Sequence, residues 1–206
     1  PVYTNAGDYT VYFKVVKANY EDYTGSATLK INKAILTATY GGETVTYGNV
    51  PVLSVNVTGF VNGETAETAV GYAAPTTINT NVNAGTYTLN PSGGAADNYD
   101  FSYVAGDLII QPKTVSVTPD ALSKVYGGSD PVFTYTLSET VAVTGALSRE
   151  AGEDVGTYAI TPGDLSAGGN YTLSLVPTNF AVTKATLTIK ADDKAMTFGG
   201  AEPAYT

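Results

Sequence analysis

The segment that sets the fold is Val155-Gly156-Thr157-Tyr158-Ala159-Ile160-Thr161. After its glycine, apolar and polar residues alternate as in a β-strand. The same start recurs as Gly85-Thr86-Tyr87 and Gly7-Asp8-Tyr9, and the three glycines lie 78 and 71 residues apart. An Asn-Tyr pair follows each copy, and after it comes an apolar strand that ends on lysine. The pairs are Asn19-Tyr20, Asn98-Tyr99 and Asn170-Tyr171, and the lysines are Lys33, Lys113 and Lys184. A fixed order of motifs at this spacing indicates tandem repeats, each the size of a small domain.

A second signature opens each repeat, with an aromatic residue, a glycine and then a proline. It reads Tyr47-Gly48 with Pro51, Tyr126-Gly127 with Pro131, and Phe198-Gly199 with Pro203. These anchors predict a partial repeat at 1–33, complete repeats at 34–113 and 114–184, and a second partial repeat at 185–206. The two complete repeats differ in length between the proline and the glycine, so we expect a variable loop there.

The periodicity inside each repeat is that of strands. In Tyr9–Val15 the apolar side chains occupy every second position and are expected to face a core. Leu187 and Ile189 are expected to point inward in the same way. Glycine and proline punctuate these short runs at turn positions. The pattern predicts an all-β chain of small antiparallel β-sandwiches, with no helix longer than a turn or two.

Composition removes several classes of function. The chain has no cysteine and no histidine, which excludes thiolate or imidazole catalysis, Cys/His zinc sites and disulfides. Its net charge is −9 and it holds no basic run, so nucleic acid and anionic membranes are not expected partners. No apolar stretch is long enough for a membrane-spanning helix. The start at Pro1 does not read as a signal peptide, and we expect the chain to be part of a longer array.

Three motifs together resemble a known family. Lys184-Ala185-Thr186-Leu187-Thr188-Ile189 with the Phe198–Pro203 signature resembles the start of MBG domains, the "mostly beta, glycine-rich" repeats of bacterial surface proteins. Residues 114–184 read close to the same pattern through Arg149–Tyr158 and Gly169-Asn170-Tyr171-Thr172-Leu173. The first segment, Asn5 to Ala34, is also similar to bacterial immunoglobulin-like repeats. The resemblance implies tandem immunoglobulin-like β-sandwiches.

The resemblance further implies a place in large secreted or cell-surface adhesin-like proteins of bacteria. Each closing lysine passes into the next repeat almost without a spacer, as in Lys33-Ala34-Ile35, which favours a stiff, rod-like array. We therefore expect an extracellular, non-enzymatic stalk or spacer that projects a distal binding domain in cell adhesion. The alternative is a carbohydrate- or protein-binding β-sandwich module. Neither interpretation predicts a catalytic residue, a cofactor or an obligatory metal.

Some residues could still carry chemistry, and each has a structural alternative. Acidic pairs and turn acids could bind calcium at domain junctions, or could satisfy neighbouring backbone N–H groups instead. These acids are Asp130, Glu153-Asp154, Asp164 and Asp192-Asp193. Tyrosines could form a stacking platform for sugars, or could simply favour strand positions. These tyrosines are Tyr12, Tyr23, Tyr72 and Tyr103. Lys14, Lys17 and Lys30 lie on strands and invite the idea of a lysine crosslink, although solvated lysines at strand edges explain them as well.

The expected partners are the neighbouring repeats of the same chain. Residues 1–33 hold the second half of a repeat and residues 185–206 the first half of another. Neither fragment has enough apolar surface to fold alone. The partial repeats could cap their neighbours, exchange strands with a second chain, or be completed by further sequence of a longer array, which is the interpretation we favour.

Overall fold

The computed structural model describes residues 2–204, and strands are its only regular elements. It divides into two compact units, one of Pro1–Lys113 with Gly169–Thr172, the other of Thr114–Gly168 with Leu173–Thr206. The first strands are β1 (Gly7–Val15), β2 (Tyr23–Ile31), β3 (Ala34–Tyr40), β4 (Glu43–Thr46), β5 (Val55–Thr58), β6 (Ala73–Thr76), β7 (Gly85–Leu89), β8 (Ser92–Ala95), β9 (Tyr99–Val104) and β10 (Gly106–Gln111). The remaining strands are β11 (Lys113–Pro119), β12 (Ser123–Val125), β13 (Tyr135–Leu137), β14 (Ser148–Arg149), β15 (Gly156–Thr161), β16 (Tyr171–Leu175) and β17 (Asn179–Thr183). Within 2–204, no helix has the length and apolar character needed to cross a membrane.

The second and third repeats, 34–113 and 114–184, share the order of six strands, although β14 is added in the third and the second has an extra pair, β6-β8. One sheet of the second repeat runs β5-β3-β9, and its counterpart in the third runs β13-β11-β16. The other sheet runs β4-β10-β7 in the second repeat and β12-β17-β15-β14 in the third. The same order of strands from two different sequences confirms the tandem organisation at the level of topology.

The expectation of purely antiparallel sheets is wrong. β3 pairs with β9 in parallel, as β4 does with β10 and β12 with β17. Parallel neighbours need a long crossover, and the rest of the repeat between its first and last strands provides one. Alternation along a strand shows which side chains face inward. It does not encode the direction of the neighbouring strand.

Alternating side chains form the cores. In the third repeat, Val117, Ile160, Phe180 and Val182 come from both sheets and form one buried cluster with Leu147. The second repeat has two smaller clusters. One contains Leu36, Ala69, Ala96 and Tyr99, and the other Tyr40, Leu89, Leu108 and Ile110. Each repeat therefore buries its own rows, and none of these clusters is shared between repeats.

The segment expected to be a variable loop is partly structured. Between Pro51 and Gly85 the second repeat forms β5 and β6, and β6 pairs with β8. Ala69 lies in the same segment and is buried in a core cluster. The extra length is not all loop because its apolar residues find a place in the core.

Two apolar rows predicted to face a core are not covered in this structure. β1 and β2 form a two-stranded hairpin on which Phe13 and Val15 remain 45% and 54% exposed. Leu187 and Ile189 lie outside the strands, and each is 83% exposed. The structure confirms a strand at Tyr9–Val15, but it does not bear out burial of either row, and residues 185–190 form no strand.

A neighbouring pair on β10 tests this alternation. Leu108 is fully buried, whereas the next residue, Ile109, is 38% exposed. Leu108→Ala should lower the free energy of unfolding by about 2–5 kcal/mol, because it removes buried methyl groups and leaves a cavity. Ile109→Ala is the matched control and should cost clearly less. Urea unfolding followed by tyrosine fluorescence measures both, and equal losses would contradict the assigned facing of β10.

Candidate functional site

The first unit contains an asparagine whose side chain joins two distant parts of the chain. Oδ1 of Asn98 accepts a hydrogen bond from the Ala6 amide at 2.8 Å, and its Nδ2 donates to Oδ1 of Asn5 at 3.2 Å. The Asn98 carbonyl also accepts from the Ala34 amide at 3.0 Å. One residue thereby connects the glycine anchor of the first repeat to the start of the second. We call this arrangement the asparagine clasp.

Asn170 forms a second clasp with the same atoms. Its Oδ1 accepts from the Ala84 amide at 2.7 Å, its Nδ2 donates to Oδ1 of Asn83 at 3.0 Å, and its carbonyl accepts from the Lys113 amide at 2.9 Å. Residues 169–172 belong to the first unit, so this clasp also lies within that unit. Two sites, 72 positions apart in sequence, therefore have the same three hydrogen bonds.

A tyrosine fixes the other half of each clasp. Tyr9 donates its hydroxyl proton to the Asn5 carbonyl at 2.9 Å, and Tyr87 donates to the Asn83 carbonyl at the same distance. This bond to the fourth residue upstream resembles the tyrosine corner of immunoglobulin-type sandwiches. The tyrosine bond holds the Asn-Ala-Gly turn in place, so that the alanine amide in the middle of the turn points at the Oδ1 atom of Asn98 or Asn170.

The third repeat has the same turn with a different sequence. Tyr158 donates to the Asp154 carbonyl at 2.7 Å, as its counterparts do. Gly156, however, lacks the positive φ of Gly7 and Gly85, and Gly152 has a φ of 149° instead. Any Cβ at Gly152 would overlap the Tyr158 ring. The glycine anchors thus share the tyrosine bond, but the backbone geometry at the third differs.

The sequence contains a signal for the clasps beyond the Asn-Tyr pairs that mark the repeats. Asn5-Ala6-Gly7 and Asn83-Ala84-Gly85 are the same tripeptide. Spacing alone could not reveal that each tripeptide meets the asparagine of the following Asn-Tyr pair. That contact depends on how consecutive repeats pack together.

The second unit contains a network of four charges. Lys124 and Arg149 have side chains that are only 5% and 7% exposed. Lys124 Nζ lies 2.7 Å from Asp130 and 2.5 Å from Glu153. Arg149 contacts the same two carboxylates, at 2.6 Å and 2.8 Å. Its guanidinium also lies over the rings of Tyr158 and Phe180, with centroids 5.2 Å and 5.1 Å away. Each cation therefore has two anionic partners.

Hydrogen bonds within this network fix the charge states. The guanidinium of Arg149, followed by the ammonium of Lys124, lowers the pKa of Asp130 to about 2. Lys124 and Arg149 lower the pKa of Glu153 as well. Asp130 and then Glu153 raise the pKa of Lys124. All three groups therefore stay charged at neutral pH.

This charge pattern argues against a lysine crosslink here. Amide formation needs a neutral amine and a neutral acid, whereas Lys124 and its two carboxylates are held in their charged forms. The lysines considered from the sequence are exposed. Lys14 forms an ion pair with Asp22 at 2.5 Å, and Lys17 lies over the Tyr20 ring. Lys30 lies on the polar face of the hairpin, opposite Asp8.

The second repeat has apolar residues at the four corresponding positions. The opening tyrosine aligns Lys124 with Val45, and the proline that follows it aligns Asp130 with Val50. The glycine anchor aligns Arg149 with Ile78 and Glu153 with Val82. All four charges are absent together. Val50, Ile78 and Val82 are 89%, 72% and 73% exposed, so the second repeat leaves these positions open instead of filling them with a buried apolar set.

The candidate calcium acids do not come together. Asp130 and Glu153 are bound by cations, and Oδ1 of Asp164 accepts from the Ala146 amide at 2.8 Å. Asp192 and Asp193 lie in the segment after β17, outside the strands. Across residues 2–204 there is no group of three or more acidic side chains arranged to hold a metal ion.

The candidate tyrosines also do not form one platform. Tyr12 and Tyr23 are both exposed, but the β1–β2 register places them on opposite faces of the hairpin. Tyr72 packs against Phe60 and Phe101 beside a core cluster. Tyr103 stacks on Phe101 with a centroid distance of 6.2 Å. The rings of Tyr72, Phe101 and Tyr103 therefore form an aromatic stripe at the edge of the second repeat.

Comparison with known families identifies the repeats. The model of the MBG domain (YGX type) matches residues 36–109 and again residues 115–181. The chain belongs to the MBG family. Its two matched MBG domains are the repeats that share one order of strands, and Tyr47-Gly48 and Tyr126-Gly127 are the Tyr-Gly pairs at their openings. A search of curated proteins finds no match to the chain.

The clasps make reciprocal predictions. Asn98→Ala should speed amide hydrogen exchange at Ala6 by about fivefold, since a net hydrogen bond is worth about 1 kcal/mol, and should leave Ala84 unchanged. Asn170→Ala should do the reverse. Asn98→Asp keeps the acceptor oxygen and should preserve protection at Ala6. NMR exchange measurements distinguish the outcomes, and equal effects at both alanines would argue against two separate clasps.

The charge network predicts acid sensitivity in the second MBG domain. The carboxyl pKa values of Asp130 and Glu153 are lower in the folded state than in the unfolded chain. Their stabilisation is therefore present above the unfolded pKa of about 4 and is lost as the pH falls towards about 2. The melting temperature of this domain should fall over that range.

A control variant gives this domain the uncharged residues that the other MBG domain has at the four corresponding positions. Replacing Lys124, Asp130, Arg149 and Glu153 together by Val, Val, Ile and Val removes both signs of charge at once. The acid-dependent part of the melting shift should disappear in this variant. Calorimetry between pH 6 and pH 2 tests this, and an unchanged pH profile would show that the acid sensitivity arises elsewhere.

Proposed function

We propose that the chain forms structural stalk or spacer repeats of a large bacterial cell-surface or secreted adhesin-like protein. In this role the MBG domains are immunoglobulin-like sandwiches in a rod-like array that projects a distal binding domain, and they carry out no chemistry themselves. The observation that carries the proposal is the repeated asparagine clasp. It ties the glycine turn of one repeat to the next repeat at two places in the chain.

The clasp supports a spacer role because it removes freedom where a flexible linker would provide it. Lys33 leads directly into β3, and Lys113 is already part of β11. The side chain of Asn98 then bonds to both Asn5 and Ala6 of the preceding repeat. Repeats joined through a short connection and several side-chain bonds are expected to resist bending.

Exposed tyrosines favour the second candidate, a carbohydrate- or protein-binding module. Tyr103 and Phe101 stack with their planes 13° apart, and Tyr103 donates its hydroxyl proton to the Gly93 carbonyl. Such a ring pair could receive the apolar face of a sugar. Binding on a glycan array that is lost in Tyr103→Ala and kept in Tyr12→Ala would favour this module over the stalk.

Small-angle X-ray scattering tests the stalk proposal. Adding further copies of the clasped repeat should increase the maximum dimension in proportion to the number of repeats. The dimensions of a flexibly linked array would grow only as about the square root of the number of repeats, and those of a collapsed array would grow more slowly still. Asn98→Ala and Asn170→Ala together should shift the wild-type scaling towards the flexible case. Scattering from a compact particle would overturn the proposal.

A further inference from the structure

The second repeat has an open cavity of about 490 Å³ at the place where the third repeat holds its charge network. The exposed side chains of Val50 and Val82 line this cavity, and they align with Asp130 and Glu153 of the network. Every lining residue lies between positions 47 and 110, so one complete MBG domain forms the cavity by itself. We call it the valine cavity.

A single glycine accounts for the difference between the two repeats. In the third repeat, Gly152 lets the chain pass so close to the Tyr158 ring that a Cβ atom on Gly152 would overlap this ring. Counted from the glycine anchor, the second repeat has Asn81 at the same position. The side chain of Asn81 excludes the same path past the corresponding ring of Tyr87. The loop of the second repeat therefore follows another course, and the valine cavity lies beside it.

Hydrogen bonds between two asparagines fix this loop. Nδ2 of Asn79 donates to the Asn81 carbonyl at 2.8 Å. Oδ1 of Asn79 accepts from the Asn81 amide at 2.9 Å and from Asn81 Nδ2 at 3.2 Å. These bonds hold the loop in one conformation, so the cavity is formed before a ligand arrives. A preformed site spares the ligand the entropy cost of ordering the loop.

The walls of the valine cavity are apolar. Pro51, Ile110 and the ring of Tyr47 line it together with the two valines. Tyr47 packs edge to face against Tyr171 with ring centroids 5.3 Å apart, which holds its ring in place. Among the described residues, no charged side chain lines the cavity. A ligand that has apolar surface and no net charge is therefore favoured.

Polar groups without partners lie along the same cavity. Within residues 2–204, the side-chain amide of Asn49 and the hydroxyl of Thr80 form no hydrogen bond, and Oδ1 of Asn81 accepts none. An amide and a hydroxyl can each donate and accept hydrogen bonds. These three side chains can therefore bind several hydroxyl groups of one ligand.

We propose that the valine cavity binds a neutral saccharide. A sugar ring has C–H groups on its faces, which pack against the valines and Tyr47. Its hydroxyl groups lie around the edge of the ring, where they pair with Asn49, Thr80 and Asn81. The volume falls within the range of about 300–1,000 Å³ that is typical of small-molecule sites. A phosphate or an acidic sugar would find no cation in the cavity, and a metal ion would find no carboxylate.

This site is separate from the aromatic stripe, because Tyr72, Phe101 and Tyr103 do not line the valine cavity. The proposal depends neither on the stripe nor on the stalk role. In the third repeat the side chains of Lys124 and Arg149 occupy the corresponding place with their carboxylate partners. We therefore expect the second repeat to bind the saccharide and the third repeat not to bind it.

NMR titration of the isotope-labelled chain tests the proposal with the methyl glycosides of glucose, galactose, mannose and N-acetylglucosamine. At least one of them should shift the backbone amides of Asn49, Val50 and residues 79–82 saturably, with a dissociation constant in the millimolar range of a small open site. Glucuronate, which differs from glucose by one carboxylate, should cause no saturable shift. The absence of a saturable shift with all the glycosides, as expected if the cavity receives a protein instead, would overturn the proposal.

Two substitutions test the polar contacts. Asn49→Ala and Thr80→Ala remove groups that form no hydrogen bond within the described residues, so both variants should fold like the wild type. Each should weaken binding about fivefold, as expected for the loss of one net hydrogen bond. Asn56→Ala is the matched control, because Asn56 is exposed on β5 and lies outside the cavity.

Tyr103→Ala distinguishes the valine cavity from the aromatic stripe. This variant and Asn56→Ala should both bind the saccharide as tightly as the wild type. Binding that is lost in Tyr103→Ala, or that is unchanged in both Asn49→Ala and Thr80→Ala, would overturn the assignment to the valine cavity. The stalk proposal would survive either result, because it is tested by the scaling of the array in solution.

Discussion

Each complete MBG domain depends on the burial of a short alternating row from its first strand against its last strands. Leu36 and Val115 are the fully buried residues of those rows, and each first strand lies at the centre of its sheet. The first and last strands of a domain are distant in sequence, so closing the domain costs chain entropy that local contacts alone do not offset. Burial of the row supplies the compensating free energy. Shortening these buried rows is therefore expected to destabilise a whole domain and not one strand alone.

Much of the fold follows from the sequence because strand periodicity and repeat anchors are local signals. The alternation in Tyr9–Val15 predicted the strand β1 and the residues that share one of its faces. The direction of pairing could not be read in this way, since a parallel ladder such as β12–β17 depends on chain segments far apart in sequence. For the same reason the Asn98 clasp was missed. Its polar atoms meet only after consecutive repeats have packed together.

The charge network shows a different limit of sequence analysis. Asp130 and Glu153 looked like turn acids because their partners, Lys124 and Arg149, lie up to 29 residues away. Comparison of the two domains at fixed distances from the anchors reveals that the four positions change together. The second repeat carries uncharged residues at these four positions, and three of them, Val50, Ile78 and Val82, are exposed. Intermediate combinations would leave buried charges without partners.

The clasp uses two backbone amides, one backbone carbonyl and two asparagine side chains, and the first and second repeats contribute in the same way to the repeat that follows. A junction of this kind has no individual pairing code, so one repeat fits beside another irrespective of most of its surface. Duplication or loss of a repeat that carries the Asn-Ala-Gly turn would preserve the remaining clasps. Arrays of MBG domains can therefore change in repeat number during evolution through gene recombination alone, without a new interface having to arise.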